Sequence, residues 1–401
     1  MSRRLLAAIG ILVIFLVLVA LAVVLRTSAT PDPVPTPTPT STTPVAPKQN
    51  TMLVAVRDDT GLIADSVVMG SIDQSNSTPI GSWLSVQPGL AIAVNAAGSV
   101  SLAQRGPFSP GDVSRDVSNE LGFTVDGAFI LDRLAFAALV DSVGGVTVNS
   151  PVPIVVIDAD GKSTVVVKAG KRKIFGPAAA QYVIALNPNE EQAGRMARFD
   201  DVWTQVLLKL PGNLDKVRSI VGSLGSLSRI SLTPEQVSQA LLDAQTSLAA
   251  QSMTKGTPTA EVAGTGSTAI YTVIPIGTQP TVERLFAESV MVPGKDGALP
   301  RVRVLAAGAE YDAIDEAGKA FTANGLSLVW GGQLATIAKT QIFIPNEAGR
   351  ATGEQIARTL GVPTSAITVS SAETIGVQAS VKLAADSTFT TASPTASASA
   401  S

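Results

Sequence analysis

From Leu5 to Leu25 the chain runs through apolar residues without a single charged side chain. That is long enough to cross the ~30 Å hydrocarbon core of a bilayer, which takes about 20 residues. Lipid offers the backbone no hydrogen-bond partners, so such a run is predicted to be a helix. It exceeds the roughly 7 to 15 apolar residues of a cleaved leader, which favours a retained anchor over cleavage near Ala29. Arg3 and Arg4 precede it and Arg26 follows. The short, positive N-terminal side places residues 1–4 in the cytoplasm and exports the bulk of the chain. Residues 26–49 alternate proline with threonine, valine and aspartate between Pro31 and Pro47, a composition for an extended spacer with no core of its own. The Ser/Ala/Thr tail at 387–401 reads as disordered by the same reasoning.

The remaining length accommodates two folded regions. The 401 residues contain no cysteine and no histidine. Disulfides, thiolate nucleophiles, imidazole bases and nearly all zinc, copper or iron sites are thereby excluded. Any chemistry falls to carboxylates, arginines, lysines and hydroxyls, with a hard cation such as Mg²⁺ still open because it needs only oxygen ligands. A net charge of −3 supplies no basic excess for a phosphate backbone, so no nucleic-acid partner is expected.

In the first region, predicted at 50–290, apolar runs at Thr51–Val56 and Ala64–Ile72 read as buried strands, and Trp83–Val86 as a third. Asp112–Leu121 reads as a helix stopped by Gly122, followed by a strand over Phe123–Leu131. Asp132 is placed to cap a further helix with Leu134, Ala135, Ala138 and Leu139 on its inner face, ending at Gly144-Gly145. Asp160-Gly161 marks a hairpin between Val152–Ile157 and Ser163–Val167. In Gln192–Leu210, Met196, Phe199, Trp203, Val206 and Leu210 recur at spacings of three and four, an amphipathic helix with Arg195 and Arg198 beside its apolar stripe. On spacing alone these arginines are surface residues or partners of Glu191, Asp200 or Asp201. Pro234–Ala249 reads as a helix and Ala269–Ile276 as a strand. The second region, predicted at 298–386, alternates strands at Val302–Leu305, Ser327–Trp330, Gln341–Ile344, Ile367–Val369 and Val377–Leu383 with helices at Tyr311–Asn324 and Asn346–Leu360, the pattern of a small α/β domain.

Several segments resemble motifs of the LytR-CpsA-Psr family of envelope phosphotransferases. Gly122–Pro153, which includes LVDSVGGVTVNSPVP from Leu139, is similar to the family's long D…D…F-x-x-L-V-D-x-L-G-G-V block. Ile63–Ser66 leading into Ser71–Asp73 resembles its R-S-D-T and S-I-D frame. Gly170–Tyr182 and Gly194–Phe199 resemble its hairpin and G-R-x-x-R-Q motifs. The similarity spans about Asn50 to Phe286. The region from Arg301 to Leu383 is similar, by order of elements, to the LytR C-terminal domain of actinobacterial members, although Val304–Ala309 reads VLAAGA where V-L-N-G-T-G is usual.

The resemblance implies an α/β fold with a sheet packed between helices. It also implies transfer of a glycan polymer from a polyprenyl pyrophosphate carrier to peptidoglycan. Arg195 and Arg198 would then bind the pyrophosphate and Asp65 would hold Mg²⁺. Other positions depart from the pattern. Ile63 or Ala64 stands where an arginine precedes Asp65, S-x-P-R-D reads Ser85-Val86-Gln87-Pro88-Gly89, and Y-x-R-x-R reads Tyr182-Val183-Ile184-Ala185-Leu186. One donor aimed at developing charge can be worth ~3 kcal/mol, so several losses imply a degenerate site unless Arg57, Arg105 or Arg115 substitutes. The expected function is a non-catalytic binding or assembly factor for cell-wall glycopolymer attachment, with polyprenyl phosphate or other envelope proteins as partners. The alternatives are an active phosphotransferase and an anchored envelope protein with no ligand.

Overall fold

The computed structural model describes residues 49–72, 78–94, 98–157, 160–292 and 299–389. The expected cytoplasmic end and membrane span, the spacer up to residue 48, Asp73 and the tail from residue 390 lie outside the described residues. Among the described residues, no helix is long and apolar enough to cross a membrane.

The first region is built on a six-stranded sheet. Strands β1 (Gln49–Arg57), β2 (Ile63–Ile72) and β3 (Ile80–Val86) form an antiparallel meander. Gly127–Leu131 runs parallel to β1 with Ser228–Ile230 antiparallel beyond it, and Met253–Gly256 runs parallel to β3 at the other edge. The central strands are buried on both sides, which is why their sequences are near-continuous apolar runs rather than alternating ones. Met52, Val54, Val67, Met69 and Trp83 face one core, closed by the helices Arg133–Ser142, Gly176–Ile184, Gln192–Lys209 and Pro234–Ala249. Leu53, Ala55, Val68 and Leu84 face the other, closed by Pro110–Leu121 and Pro275–Phe286. A second, five-stranded sheet runs in the order Ser327–Gln333, Arg301–Ala306, Ala379–Leu383, Gln341–Ile344, Ile367–Val369, with its own core around Val304, Phe321, Ile342, Ile356 and Val381.

The two sheets meet at Arg301. Its side chain is buried and donates to the carbonyls of Asn119 (2.8 Å), Glu120 (3.1 Å) and Gly376 (2.5 Å), and burial pulls its pKa down to about 10. Gly122 ends the Pro110–Leu121 helix in the left-handed conformation, φ 82°, and a Cβ there would lie 2.3 Å from Arg301 Nη1. Glycine at this position is fixed by both the cap and the contact.

Two successive antiparallel ribbons form a bent arm. Val146–Ser150 pairs with Gly170–Ile174, and Ile154–Ile157 pairs with Ser163–Val167.

The structure corrects several sequence expectations. Gln49 opens β1 instead of ending the spacer, and its Nε2 donates to Leu285 O (2.7 Å). Ser387 and Thr388 bond to the second region instead of beginning a free tail, with Thr388 N donating to Leu360 O (2.9 Å) and Ser387 Oγ sharing a hydrogen bond with Thr340 Oγ1 (2.9 Å). The strand expected from Phe123 begins only at Gly127, because Phe123 instead stacks on Phe286, with ring centroids 4.1 Å apart. Asp132 occupies the N-cap position without capping, since its carboxylate is taken by Arg57. Leu134 and Ala138 are exposed. That helix buries Ala135, Phe136, Ala137, Leu139 and Val140, the face that meets the aromatic core. The strand expected over Ala269–Ile276 stops at Val273, and Pro275 opens the helix Pro275–Phe286. In the expected Asn346–Leu360 helix the α-helical part is Arg350–Thr359.

Candidate functional site

Asp65 lies on β2 opposite Val56, on the face covered by the Gln192–Lys209 helix. It has no solvent exposure. Its Oδ2 accepts from Arg195 Nε at 3.1 Å, and its Oδ1 has no hydrogen-bond partner. Burial pushes its pKa up to about 7, outweighing the opposing effect of Arg195, with Asp200 adding to the rise. Arg195 Nη1 also reaches Ile184 O at 3.4 Å.

Arg198, three residues further along, turns inward as well. Its Nε donates to Tyr182 O (2.8 Å), Nη1 pairs with Glu190, Nη2 donates to Ala185 O, and the guanidinium lies 5.4 Å from the Tyr182 ring centroid. Both arginine side chains are only about a tenth exposed, at 11% and 10%. The sequence reading placed these two arginines beside the apolar stripe, and they are there. Their carboxylate partners are Asp65 and Glu190, not Glu191, Asp200 or Asp201.

A neighbouring cluster escaped the sequence reading. Ser85 Oγ donates to Asp200 Oδ2 at 2.6 Å, and Trp83 Nε1 reaches Ser85 Oγ (3.0 Å) and Asp200 Oδ1 (3.3 Å). Lys255 sits 4.1 Å over the Trp83 ring and donates to Thr204 Oγ1 (3.1 Å). Burial raises the Asp200 pKa and lowers that of Lys255. Ser85 stood in a motif already singled out and Asp200 among the candidate arginine partners, whereas nothing in the sequence marked Lys255.

Three of the positions where arginines or acids are expected, 63, 64 and 89, are closed by the chain itself. Ile63 and Ala64 are buried. Gly89 N donates to Gln192 Oε1 (2.9 Å), and a Cβ on Gly89 would lie 2.1 Å from Ala269 O, so no side chain fits there without backbone movement. Arg57, Arg105 and Arg115 do not substitute. Arg57 projects from the opposite face of β1 to pair with Asp132, Arg105 pairs with Asp116 at 2.6 Å, and Arg115 pairs with Asp112 at 3.0 Å.

The donor set does not suit Mg²⁺. That ion takes six oxygens in near-octahedral geometry and keeps several waters. Here a single carboxylate oxygen, Asp65 Oδ1, is uncommitted, it is sealed from solvent, and its nearest charged neighbour is itself a cation. Among the described residues, no group of three or more acids could hold a metal. Phe136, Phe199 and Trp203, all without exposure, pack in the core between the sheet and its covering helices. The Phe199 and Trp203 rings stack at 6.2 Å, and Trp203 Nε1 lies 3.4 Å from Met69 Sδ.

Residues 109–284 match the LytR_cpsA_psr family model. Protein gbs0355 from Streptococcus agalactiae aligns with a TM-score of 0.50 at 17% identity, over 62% of this chain and 94% of its own. That likeness is one of fold. B. subtilis TagV aligns at 0.49 and 14% identity, over 62% and 100% of the two chains. TagT, in a structure bound to LI-WTA, aligns at 0.45 and 16% identity, over 61% and 92%. No curated protein sequence matches this chain.

Proposed function

We propose that this is a membrane-anchored, extracytoplasmic protein of the cell envelope. Its LytR-CpsA-Psr-like domain is non-catalytic and serves as a binding or assembly factor in attaching cell-wall glycopolymer to peptidoglycan. One observation carries the reading: each of the three guanidinium nitrogens of Arg198 meets a protein acceptor, and the Nε of Arg195 pairs with a sealed Asp65. Phosphoryl chemistry needs fixed positive charge aimed at the place where negative charge develops. Cations turned inward stabilise the fold instead. Phe136, Phe199 and Trp203 pack together between sheet and helices, which supports assembly through protein or glycopolymer contacts over lipid binding.

The second reading, an active phosphotransferase moving a glycan from a polyprenyl pyrophosphate carrier to peptidoglycan, draws on the juxtaposition of Asp65 and Arg195. One assay separates the two. The purified protein is expected to show neither transfer nor pyrophosphatase activity with Mg²⁺ and a polyprenyl pyrophosphate. Turnover that disappears in Arg195→Ala or Arg198→Ala would overturn the non-catalytic reading.

A further inference from the structure

The bent arm at 146–174 is the part of the first domain that the proposed function leaves unused. Its root is held in the core by Val146, Val148, Ile154, Val167 and Ile174. Its outer part is not. Val152, Ile157 and Val165 are each about half exposed, at 52%, 53% and 52%. The strand register puts Ile157 and Val165 on the same face of the outer ribbon. Lys168 stands at the junction between the ribbons, while Lys171 and Lys173 share the solvent side of the inner one, opposite the face that enters the core. The segment carries five Lys or Arg against two Asp, in a chain whose net charge is −3.

Exposed β-branched residues next to a concentration of lysines match a surface that is apolar within and anionic at its rim. We infer that the arm docks on an anionic lipid bilayer, with Val152, Ile157 and Val165 entering the headgroup layer while Lys168, Lys171 and Lys173 meet the lipid phosphates. A soluble polyanion would engage the lysines but would give the three apolar side chains no reason to be bare. Apolar burial and attraction to acidic headgroups act together in interfacial binding, and each lysine near such a surface shifts the docked-to-free ratio about fivefold. This inference rests on the anchored reading of residues 5–25 only for bringing the domain near a membrane.

The absence of cysteine makes the test clean. Full-length Val165→Cys, labelled with an environment-sensitive dye, is mixed with vesicles of phosphatidylcholine alone or with phosphatidylglycerol added. Ser223→Cys, exposed and outside the arm, is the control. The expected result is flotation with both vesicles, with the arm dye blue-shifted and shielded from an aqueous quencher only when phosphatidylglycerol is present. Shielding should fall when Lys168, Lys171 and Lys173 are changed together to Gln and persist when they are changed to Arg, with the thermal midpoint of both variants unaltered.

Flotation with both vesicles and no shielding overturns the arm and leaves the anchor standing. Flotation and shielding with anionic vesicles alone supports the arm and removes the anchor. Flotation with neither removes both. Shielding that depends on protein density and not on lipid charge, as in edge-to-edge pairing of two arms, overturns the proposal in favour of a second copy. Shielding by a soluble polyglycerol phosphate but not by anionic vesicles overturns it in favour of a wall polymer.

Discussion

At the scale of the single residue, Asp65 governs a pH dependence whose sign is opposite to that of a surface ion pair. Its folded pKa of about 7 lies above the ordinary carboxylate value of 3.8, so the native state holds a proton that the unfolded state releases. The stabilisation is complete below pH ~4 and is lost as pH rises through about 7. At 1.36 kcal/mol per unit the whole loss is on the order of 4 kcal/mol. Urea melts at pH 5 and pH 8 should show the protein weakening at the higher pH, and Asp65→Asn should remove most of that difference. An equal loss in the variant would locate the titrating group elsewhere. Arg198→Ala is predicted to cost ~3 kcal/mol in the same melts, because it strands Glu190 and leaves the carbonyls of Tyr182 and Ala185 without their donor. A surface arginine would cost a few tenths of that.

Among the elements, the Gln192–Lys209 helix is the one that fixes the site. Phe199, Val202, Trp203 and Val206 press it onto the sheet face that carries Val67 and Met69, and this delivers Arg195 to Asp65 and Asp200 to Ser85. Trp203→Ala should destabilise the domain by about 3 to 5 kcal/mol, the usual range for emptying a buried aromatic position. Denaturant titration followed by circular dichroism checks it. The turn at Gly122 is a second control point. Gly122→Ala forces a left-handed residue and drives a methyl group into Arg301, so a loss of about 2 kcal/mol is expected. Arg301→Ala should relieve part of that loss when the two changes are combined, because the clash is with the guanidinium.

For the whole molecule, the question is how independent the second sheet is. Its core is built mainly from its own residues, Val304, Phe321, Ile342, Ile356 and Val381 among them, with Ala91 the one buried member from the first region, so a 299–389 fragment is predicted to unfold cooperatively by calorimetry. Its midpoint should fall below that of the same sheet within the intact chain, since Arg301 would lose its acceptors at Asn119 and Glu120. A fragment with no cooperative transition would mean that the two sheets fold as one unit.

The sequence by itself determined whatever depends on neighbours along the chain. The amphipathic period of Gln192–Leu210, the apolar runs of β1 and β2, the turn at Asp160-Gly161 and the order of strands and helices after Arg301 are local patterns, and each was legible. So was the identity of the residues at 63, 64, 88, 184 and 186, none of them an arginine. Tertiary structure decided where the side chains point and what they meet. Glu190 rather than Glu191 pairs with Arg198, Leu134 faces solvent, Asp132 binds Arg57 in place of the helix it precedes, and Ala269 closes the space beside Gly89. None of these follows from spacing, because each is set by how the sheet and its covering helices pack. The charge state of Asp65 belongs with them, since it follows from a burial that no stretch of sequence specifies.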